Sequence, residues 1–271
     1  MASSSKKKQQ QELRRGLAAL AVILAGLLAL GVILVRRMPV QPPEPTTILP
    51  PNPYGETDFR YEGDYLTCLS GPSVLGIDVS SHQQTIDWQQ VADAGIEFVM
   101  IRVGYRGYET GQINPDTMAQ QNYAGAKAAG LRVGAYFFSQ AVNEQEAIEE
   151  AEFVLEQISP WQVDMPVVFD WEYVDDAART EEMTGTDIIA CIDAFNQKIT
   201  EAGYSPMVYF NPHMVRNTLD LEQLVEYPFW LAMYSDRMTF EYRVDMWQYT
   251  HEGSVPGITG NVDINLWLAE E

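Results

Sequence analysis

The chain alternates short apolar runs with segments of helical periodicity from about residue 74 onward. The apolar runs at residues 74–79, 98–103, 131–138, 165–172 and 206–210 have the length of single strands and predict buried β-structure. Between them, apolar positions recur three and four residues apart, which predicts helices. Strands that take turns with helices are typical of a parallel sheet with helices packed on it.

Four helices are predicted between these strands, at about residues 87–94, 115–129, 143–158 and 186–202. Gly130 follows the second helix, in the position where a glycine commonly ends a helix. Asn143 begins the third, and Glu146 stands three residues later, as in a capping box. The end signals therefore agree with the periodicity.

The pattern changes after residue 219. Residues 219–225 are a further helical segment, but the strand-like runs at 229–234, 244–249 and 262–265 are joined by loops with little room for helices. Eight strands in about 195 residues favour closure into a barrel near the lower length limit of that fold. The sequence therefore predicts an α/β fold: an irregular (β/α) TIM-like barrel with reduced helices and short strands in its C-terminal part, preceded by a single transmembrane helix.

The first 72 residues have a different composition. Residues 1–15 are polar and basic, whereas residues 16–35 carry no charge and are rich in Leu, Ala, Ile and Val. That run is long enough to cross a hydrocarbon core of about 30 Å, and Arg36 and Arg37 close it. The basic tail predicts a cytoplasmic N-terminus, one membrane span and an extracellular remainder. A cleaved signal peptide is the alternative. The apolar region of a signal peptide, however, is shorter than this run, and a cleavage site of small residues follows that region.

Residues 36–72 are predicted to be an extracellular linker. Seven of the fifteen residues from 39 to 53 are proline, which favours an extended spacer of about 3.1 Å per residue. The barrel is then expected to occupy residues 73–271 as one domain, held by the spacer at a distance from the cell membrane.

Charge separates the two parts of the chain and excludes one class of partner. The net charge is −21, although residues 1–37 hold seven basic residues and one acid. The remainder is strongly acidic, so nucleic acid is not expected as a partner, and a neutral or cationic substrate fits better. His and Cys residues show no metal-ligand spacing, and neither a metal nor a cofactor is predicted. Cys68 and Cys191 could pair outside the cell, but nothing in the sequence requires it.

The strand at residues 165–172 ends in Asp170, Trp171 and Glu172. Because side chains alternate along a strand, the two carboxylates project to one side, roughly 6.6 Å apart at the backbone. A strand that reaches the protein surface would also end in polar residues. Polar and aromatic residues stand at the ends of most predicted strands, however, and a parallel barrel builds its active site there. The candidate site residues are Asp78, Arg102, Tyr136, Phe138, Asp170, Glu172, Tyr209, Trp230, Tyr234, Trp247, Gln248 and Asp263.

An ordered set of motifs resembles glycoside hydrolase family 25, the Chalaropsis-type lysozymes. The resemblance extends over about residues 73–268, and its specificity lies in the order and spacing of the motifs, since each alone is weak. Gln84 departs from the pattern, because many relatives have glycine after the His-Gln pair. The matching segments are 76–83 (GIDVSSHQ), 86–88 (IDW), 98–105, 134–138 (GAYFF), 169–172 (FDWE), 230–234 (WLAMY), 247–249 (WQY) and 260–265 (GNVDIN).

The resemblance implies a muramidase that cleaves the β-1,4 bond between N-acetylmuramic acid and N-acetylglucosamine in peptidoglycan. Glu172 is then expected to be the general acid, with a pKa raised by burial and by Asp170. Asp170 is expected to stay ionised and either to attack the sugar or to hold its N-acetyl group. Both routes retain configuration, and the resemblance together with the D-x-E spacing favours the second. Asp78 and Asp263 are expected to orient water, substrate or Glu172.

The aromatic members of the candidate set are expected to offer flat faces to sugar rings, although core packing would explain any one of them. Arg102 could bind a carboxylate of the protein or of muramic acid. Two alternatives remain: a membrane-tethered glycan-binding or scaffold module without turnover, and a glycosidase for another N-acetylhexosamine polymer. The presence of all four acids favours an enzyme. Partners in a cell-wall machinery are suggested only by the anchor and the spacer.

Overall fold

The structure is a computed structural model that describes residues 49–174 and 178–268. The chain divides into two compact units, Met1–Thr46 and Thr47–Glu271, and the described residues all belong to the second. The basic tail and the transmembrane helix predicted for residues 1–35 lie outside the described residues. Within the described ranges, no helix has the length and apolar character needed to span a membrane.

The described residues form eleven strands and five α-helices, labelled here in chain order. The strands are β1 (Phe59–Glu62), β2 (Tyr65–Cys68), β3 (Val74–Val79), β4 (Phe98–Arg106), β5 (Ile113–Pro115), β6 (Arg132–Ser139), β7 (Val167–Trp171), β8 (Pro206–Phe210), β9 (Phe229–Ala232), β10 (Met246–Gly253) and β11 (Val262–Trp267). The helices are α1 (Trp88–Asp93), α2 (Ala119–Ala128), α3 (Glu144–Ile158), α4 (Gly185–Glu201) and α5 (Pro212–Asn217). Short 3₁₀ helices cover Ser81–Gln83 and Leu221–Leu224.

Eight of these strands close into a barrel. The order is β3-β4-β6-β7-β8-β9-β10-β11, and β11 pairs with β3 to complete the ring. Neighbours are parallel from β3 round to β10, whereas β11 runs antiparallel to both of its neighbours. The predicted closed α/β barrel is confirmed. The reversed β11 departs from the parallel sheet that the alternation of strands and helices predicts.

Helices cover only part of the outer surface of the barrel. All five lie between β3 and β9, and the described chain from β9 to the end of β11 contains none. The predicted loss of the late helices is confirmed, but the late strands are not uniformly short, since β10 has eight residues. Helix α2 begins at Ala119 rather than near residue 115, because β5 pairs with β4 there. Asn143 caps α3 as predicted, with Oδ1 accepting from Glu146 N at 3.0 Å.

Side-chain alternation divides the core into two layers. The outer layer lies between the strands and the helices and includes Trp247 and Tyr249 of β10. Met246 of the same strand belongs to the inner layer, which fills the barrel. The inner layer consists of Phe98, Met100, Tyr136, Met165, Val168, Met207, Tyr209, Trp230, Ala232 and Met246.

Residues 49–72, called here the N-terminal strap, fold against the barrel. The strap contains the β1–β2 hairpin, and Phe59 stacks edge-on against Trp247 with 5.0 Å between ring centroids. Leu66 N donates to the Tyr249 hydroxyl at 3.3 Å. Because none of the described helices covers β10, the strap buries the aromatic side chains on the outer face of that strand. The prediction of a linker over residues 36–72 therefore differs from the structure throughout the strap.

Replacing Phe59 with alanine should lower the free energy of unfolding by about 3 kcal/mol, because the buried ring leaves a cavity over Trp247. Arg60→Ala, at an exposed position of the same hairpin, should change it by less than about 0.5 kcal/mol. Urea unfolding followed by far-UV circular dichroism measures both. Equal free energies of unfolding for the two variants would show that the strap does not pack on the barrel and is a linker.

Candidate active site

A pocket of about 230 Å³ opens at the end of the barrel where the parallel strands have their carboxyl ends. Its walls come from all eight barrel strands and from residues that lie one or two positions beyond their ends. The lining residues are Asp78, Arg102, Tyr136, Phe138, Asp170, Glu172, Tyr209, Trp230, Tyr234, Gln248 and Asp263.

The structure brings together eleven of the twelve candidate residues, and Trp247 is the exception. Trp247 is fully buried in the outer layer, and its Nε1 donates to Met233 O at 2.8 Å. Gln248 faces into the barrel, so alternation sends its neighbour Trp247 outward. Trp247 is therefore a core residue beneath the strap, and its expected role in substrate binding is not supported by its position.

The two acids of the D-W-E segment lie at the end of β7. Asp170 belongs to the strand and is 6% exposed, whereas Glu172 lies one residue beyond the strand. Trp171 between them faces the outer layer and is 1% exposed. A hydrogen bond joins the two carboxyl groups. The alternation along β7 therefore places both acids in the pocket and the tryptophan in the core, as the sequence predicts.

Burial changes the protonation of both acids. Burial and the charge of Asp78 raise the pKa of Glu172 to about 7, while the hydrogen bond with Asp170 acts in the opposite direction. Burial and the charge of Glu172 raise the pKa of Asp170 well above its usual range. The charge of Asp78 is thus a second cause, beside burial, of the raised pKa of Glu172. Burial and the charge of Glu172 therefore oppose the expected ionisation of Asp170, which stays a prediction.

Asp78 and Asp263 face each other where β3 and β11 close the barrel. They are register partners and share a hydrogen bond. Asp263 stands near the beginning of β11, and the antiparallel direction of that strand brings its beginning to the pocket. Burial raises the pKa of Asp78 to about 6. Burial, followed by the charge of Asp78, raises the pKa of Asp263 to about 8.

Two buried amides fix the carboxylate of Asp78. Gln248 Nε2 and Asn265 Nδ2 each donate to Asp78 Oδ2 at 2.8 Å. Trp230 Nε1 in turn donates to Asn265 Oδ1 at 2.8 Å. Asn265 was not a candidate from the sequence. The sequence does contain a signal for Asn265, because it follows Asp263 by two positions on one strand and therefore lies on the same face.

Arg102 is the single cation among the lining residues. Its Nε and Nη2 both lie 2.9 Å from Asp116 Oδ2, and Nη2 also donates to Ser81 Oγ at 3.3 Å. The guanidinium lies over the ring of Tyr105, 5.4 Å from its centroid. Of the two roles considered for Arg102, the structure shows the salt bridge within the protein. Asp116 and Ser81 carried no sequence signal for this contact.

Aromatic rings form the floor and one rim of the pocket. Trp230 is 1% exposed and meets Tyr209 edge-on, with 5.0 Å between centroids. Tyr234 is 52% exposed and stacks on His251 at 4.2 Å. The hydroxyls of Tyr209 and Tyr234 donate to Gln248 Oε1 at 3.3 and 3.2 Å. Only Tyr234 of this group therefore presents a large open face to a ligand.

The loop after β3 keeps an unusual backbone at Gln84. Its φ of 53° lies in the left-handed region that favours glycine. Gln83 Oε1 accepts from Ser80 N at 2.9 Å, and Gln83 Nε2 donates to Asn261 O at 3.3 Å. The loop thus adopts a conformation typical of glycine at the position where this chain has Gln84.

No group of three or more His, Cys, Asp or Glu residues in the described part of the chain is arranged to hold a metal ion. Cys68 and Cys191 are both buried free thiols, so the disulfide that the sequence allows does not form in this structure. Among the four pocket acids, Asp78 accepts hydrogen bonds from two amides, whereas Asp170 Oδ1 has no hydrogen-bond partner among the described residues. A carboxyl with a pKa near neutrality beside a second carboxyl can donate a proton, accept one and stabilise positive charge, which acid-catalysed cleavage of an acetal requires.

Comparison with known proteins agrees with this geometry. The family model described as glycosyl hydrolases family 25 matches residues 77–258. Lysozyme M1 from Streptomyces globisporus is 27% identical over 281 residues, which cover 93% of this chain and 92% of that protein. Its similarity thus extends over nearly the whole length of both chains.

Two solved structures share the fold. The modular autolysin LytC from Streptococcus pneumoniae, solved in complex with a synthetic peptidoglycan ligand, has a TM-score of 0.64 and 27% identity, over 72% of this chain and 46% of that chain. The match thus spans about half of the autolysin. The bacterial lysozyme from Streptomyces coelicolor has a TM-score of 0.60 and 25% identity, over 74% of this chain and 93% of that chain.

Replacing Asp263 with asparagine should stabilise the protein more at pH 8 than at pH 5, relative to the wild type. The folded state keeps a proton on Asp263 up to about pH 8, whereas the unfolded chain loses it near the ordinary value of 3.8. Between these two pKa values the folded state binds more protons than the unfolded chain, so the free energy of unfolding of the wild type falls as pH rises. The variant has no carboxyl at this position and does not show this fall. Thermal unfolding at both pH values measures the difference.

Asp187→Asn provides the control, because the Thr184 hydroxyl and backbone N–H lower the pKa of Asp187 below its ordinary value. Asp187 is then ionised in both states from pH 5 to pH 8, so its replacement should have the same effect at both. A pH-independent effect of Asp263→Asn would contradict a raised pKa at Asp263.

Proposed function

The chain belongs to glycosyl hydrolase family 25, and we propose that it is a peptidoglycan muramidase that hydrolyses the β-1,4 bond between N-acetylmuramic acid and N-acetylglucosamine. The observation that carries this proposal is the pairing of Glu172, whose pKa burial raises to about 7, with Asp170 in one pocket. Relatives named as lysozymes, and an autolysin solved with a peptidoglycan ligand, support the choice of substrate.

Glu172 acts as the general acid. It donates its proton to the glycosidic oxygen while the bond between that oxygen and C1 of the sugar breaks. The carboxylate that remains then takes a proton from the water that attacks C1, which restores the protonated acid. Burial supports this role because a carboxyl with an ordinary pKa would have lost its proton at neutral pH.

Asp170 holds the N-acetyl group of the sugar. The N–H of that group donates to Asp170, and its carbonyl oxygen attacks C1 as the leaving group departs. Asp170 Oδ1 supports this role, since it is buried and has no hydrogen-bond partner among the described residues. Two successive displacements at C1 retain the configuration. Direct attack by Asp170 would give the same stereochemistry and is the alternative route.

Substrate binding decides which acid holds the proton of the Asp170–Glu172 pair. Before binding, burial and mutual repulsion favour a proton on the more deeply buried Asp170. A sugar N–H that donates to Asp170 stabilises its ionised form, which leaves the proton on Glu172, where the reaction needs it. The pair is therefore set for catalysis by the same group of the sugar that takes part in the reaction.

Asp78 and Asp263 control the field around Glu172. The charge of Asp78 raises the pKa of Glu172, and the amides of Gln248 and Asn265 keep Asp78 in place. Asp263 shares its proton with Asp78, which limits the number of charges in the pocket. In this proposal both residues orient the attacking water or a sugar hydroxyl.

We place the barrel outside the cell, tethered by a single membrane span at residues 16–35 with the N-terminus in the cytoplasm. This proposal rests on the uncharged run and the basic residues before it. Fractionation of cells that express the full chain with a C-terminal tag is the test. Recovery of the tag in the membrane pellet after a high-salt wash is expected, and release of a shortened chain into the medium would contradict the anchor.

Glu172→Gln should lower kcat on isolated peptidoglycan at least about 100-fold, because the amide cannot donate the proton that the leaving oxygen needs. Mass spectrometry of the reduced soluble products is the measurement. The wild type should release fragments that end in reduced N-acetylmuramic acid. Glu156→Gln, the same change at an exposed position of α3, should leave the rate unchanged.

Other outcomes would replace the proposal. Co-sedimentation of the wild type with the wall without release of fragments would indicate a glycan-binding module. Products that end in reduced N-acetylglucosamine would show that the enzyme cleaves the other glycosidic bond of the glycan, by a mechanism that could still use the same acids. Cleavage of chitin in preference to peptidoglycan would indicate a glycosidase for another N-acetylhexosamine polymer.

A further inference from the structure

We infer that Gln140 is a positioning residue that holds the backbone of Glu172, and with it the proton-donating carboxyl, at the end of β7. The inference rests on the proposed function for the role of Glu172, whereas the contacts that carry it do not depend on any substrate. Gln140 is 0% exposed, and its Nε2 donates to the carbonyl oxygen of Glu172 at 2.8 Å. Gln140 does not line the pocket, so it acts through Glu172 alone.

Glu172 needs this support because it lies just beyond the barrel ladder. The pairing of β6 with β7 ends with Ser139 opposite Trp171, and Glu172 is the next residue. Gln140 follows Ser139 directly, and its side-chain amide donates where the next backbone N–H of a longer ladder would. A side chain thus extends the ladder by one hydrogen bond, which fixes the residue that carries the acid.

Thr180 determines which way the amide of Gln140 faces. The Thr180 hydroxyl donates to Gln140 Oε1 at 3.1 Å, while Nε2 donates to the carbonyl oxygens of Ser139 and Glu172 at 2.8 Å each. A flipped amide would place Oε1 against two other acceptors. Thr180 is 2% exposed, so water cannot easily reach Gln140 Oε1 and replace the hydrogen bond if the Thr180 hydroxyl is removed.

The segment that carries Thr180 is itself anchored by Arg179. The guanidinium makes two contacts with the Glu146 carboxylate, at 3.0 and 2.5 Å. Arg179 N also donates to Tyr108 O at 3.0 Å. Glu146 belongs to α3, and Tyr108 belongs to the loop between β4 and β5. The amide that holds Glu172 is therefore tied, through Thr180 and Arg179, to α3 and to the loop between β4 and β5.

The test measures kcat and KM of four variants on peptidoglycan. Gln140→Met keeps a similar volume without the amide and should lower kcat about 10- to 100-fold, since a displacement of about 1 Å costs about 100-fold. KM should stay within about twofold, because no pocket contact is removed. Thr180→Val should lower kcat in the same way but less, and Thr180→Ser, which keeps the hydroxyl, should restore it. Asn122→Leu, at another fully buried amide, is the control that should leave kcat unchanged.

Crystal structures of the wild type and of Gln140→Met decide the point without substrate. Glu172 should be displaced in the variant while the barrel strands keep their positions. An unmoved Glu172 with an unchanged kcat would overturn the inference, as would an equal loss in Asn122→Leu, which would indicate general loosening. If the wild type cleaves no peptidoglycan, the proposed function fails, and the position of Glu172 in the variant still decides the role of Gln140.

Discussion

The cost of placing four carboxyl groups in one buried pocket is the constraint on which the site depends. An ionised carboxylate loses its hydration on burial, and the loss is recovered only through pairing or hydrogen bonds. Arg102 is the single cation among the lining residues, and it is already bound to Asp116. Burial therefore raises the pKa of all four acids, and the pocket keeps protons that water would remove. A buried carboxyl that keeps its proton near neutral pH can act as a proton donor, and the proposed chemistry depends on this effect of burial.

The reversed direction of β11 has consequences on both sides of the barrel wall. Inside, it sets Asp263 opposite Asp78 and brings Asn265 within reach of the same carboxylate. Outside, an antiparallel hairpin needs no crossover helix, so β10 and β11 are joined by a short loop, and none of the described helices lies above the outer face of β10. The strap covers that face through Phe59 and Trp247. One change of strand direction thus accounts for the acid pair at the barrel seam and for the folded segment before the barrel.

Sequence patterns predicted the barrel and most of the site because both depend on local alternation. Strand periodicity alone puts Asp170 and Glu172 on one face. It did not yield the direction of β11, which depends on pairing between distant strands. The strand-end position of Trp247 predicts a site residue, whereas its alternation with Gln248 directs its side chain to the outer core. The proline-rich run before the β1–β2 hairpin favours a spacer, although alternating residues on both sides of a Gly-Asp pair at 63–64 are a hairpin signal. Gln140 had no signal at all, since its partners are contacts formed only on folding.

The end of β7 gives two neighbouring acids different properties. Asp170 lies within the ladder opposite Phe138, so its backbone is fixed by the sheet and its carboxyl is deeply buried. Glu172 faces the same way but lies past the last ladder pair, where its side chain is more accessible. A group that binds one atom of a substrate benefits from the rigid position, whereas a group that gives up and regains a proton needs access to the leaving group and to water. The strand end supplies both environments within three residues. The roles of the two acids are therefore separated by the point at which the barrel ladder stops.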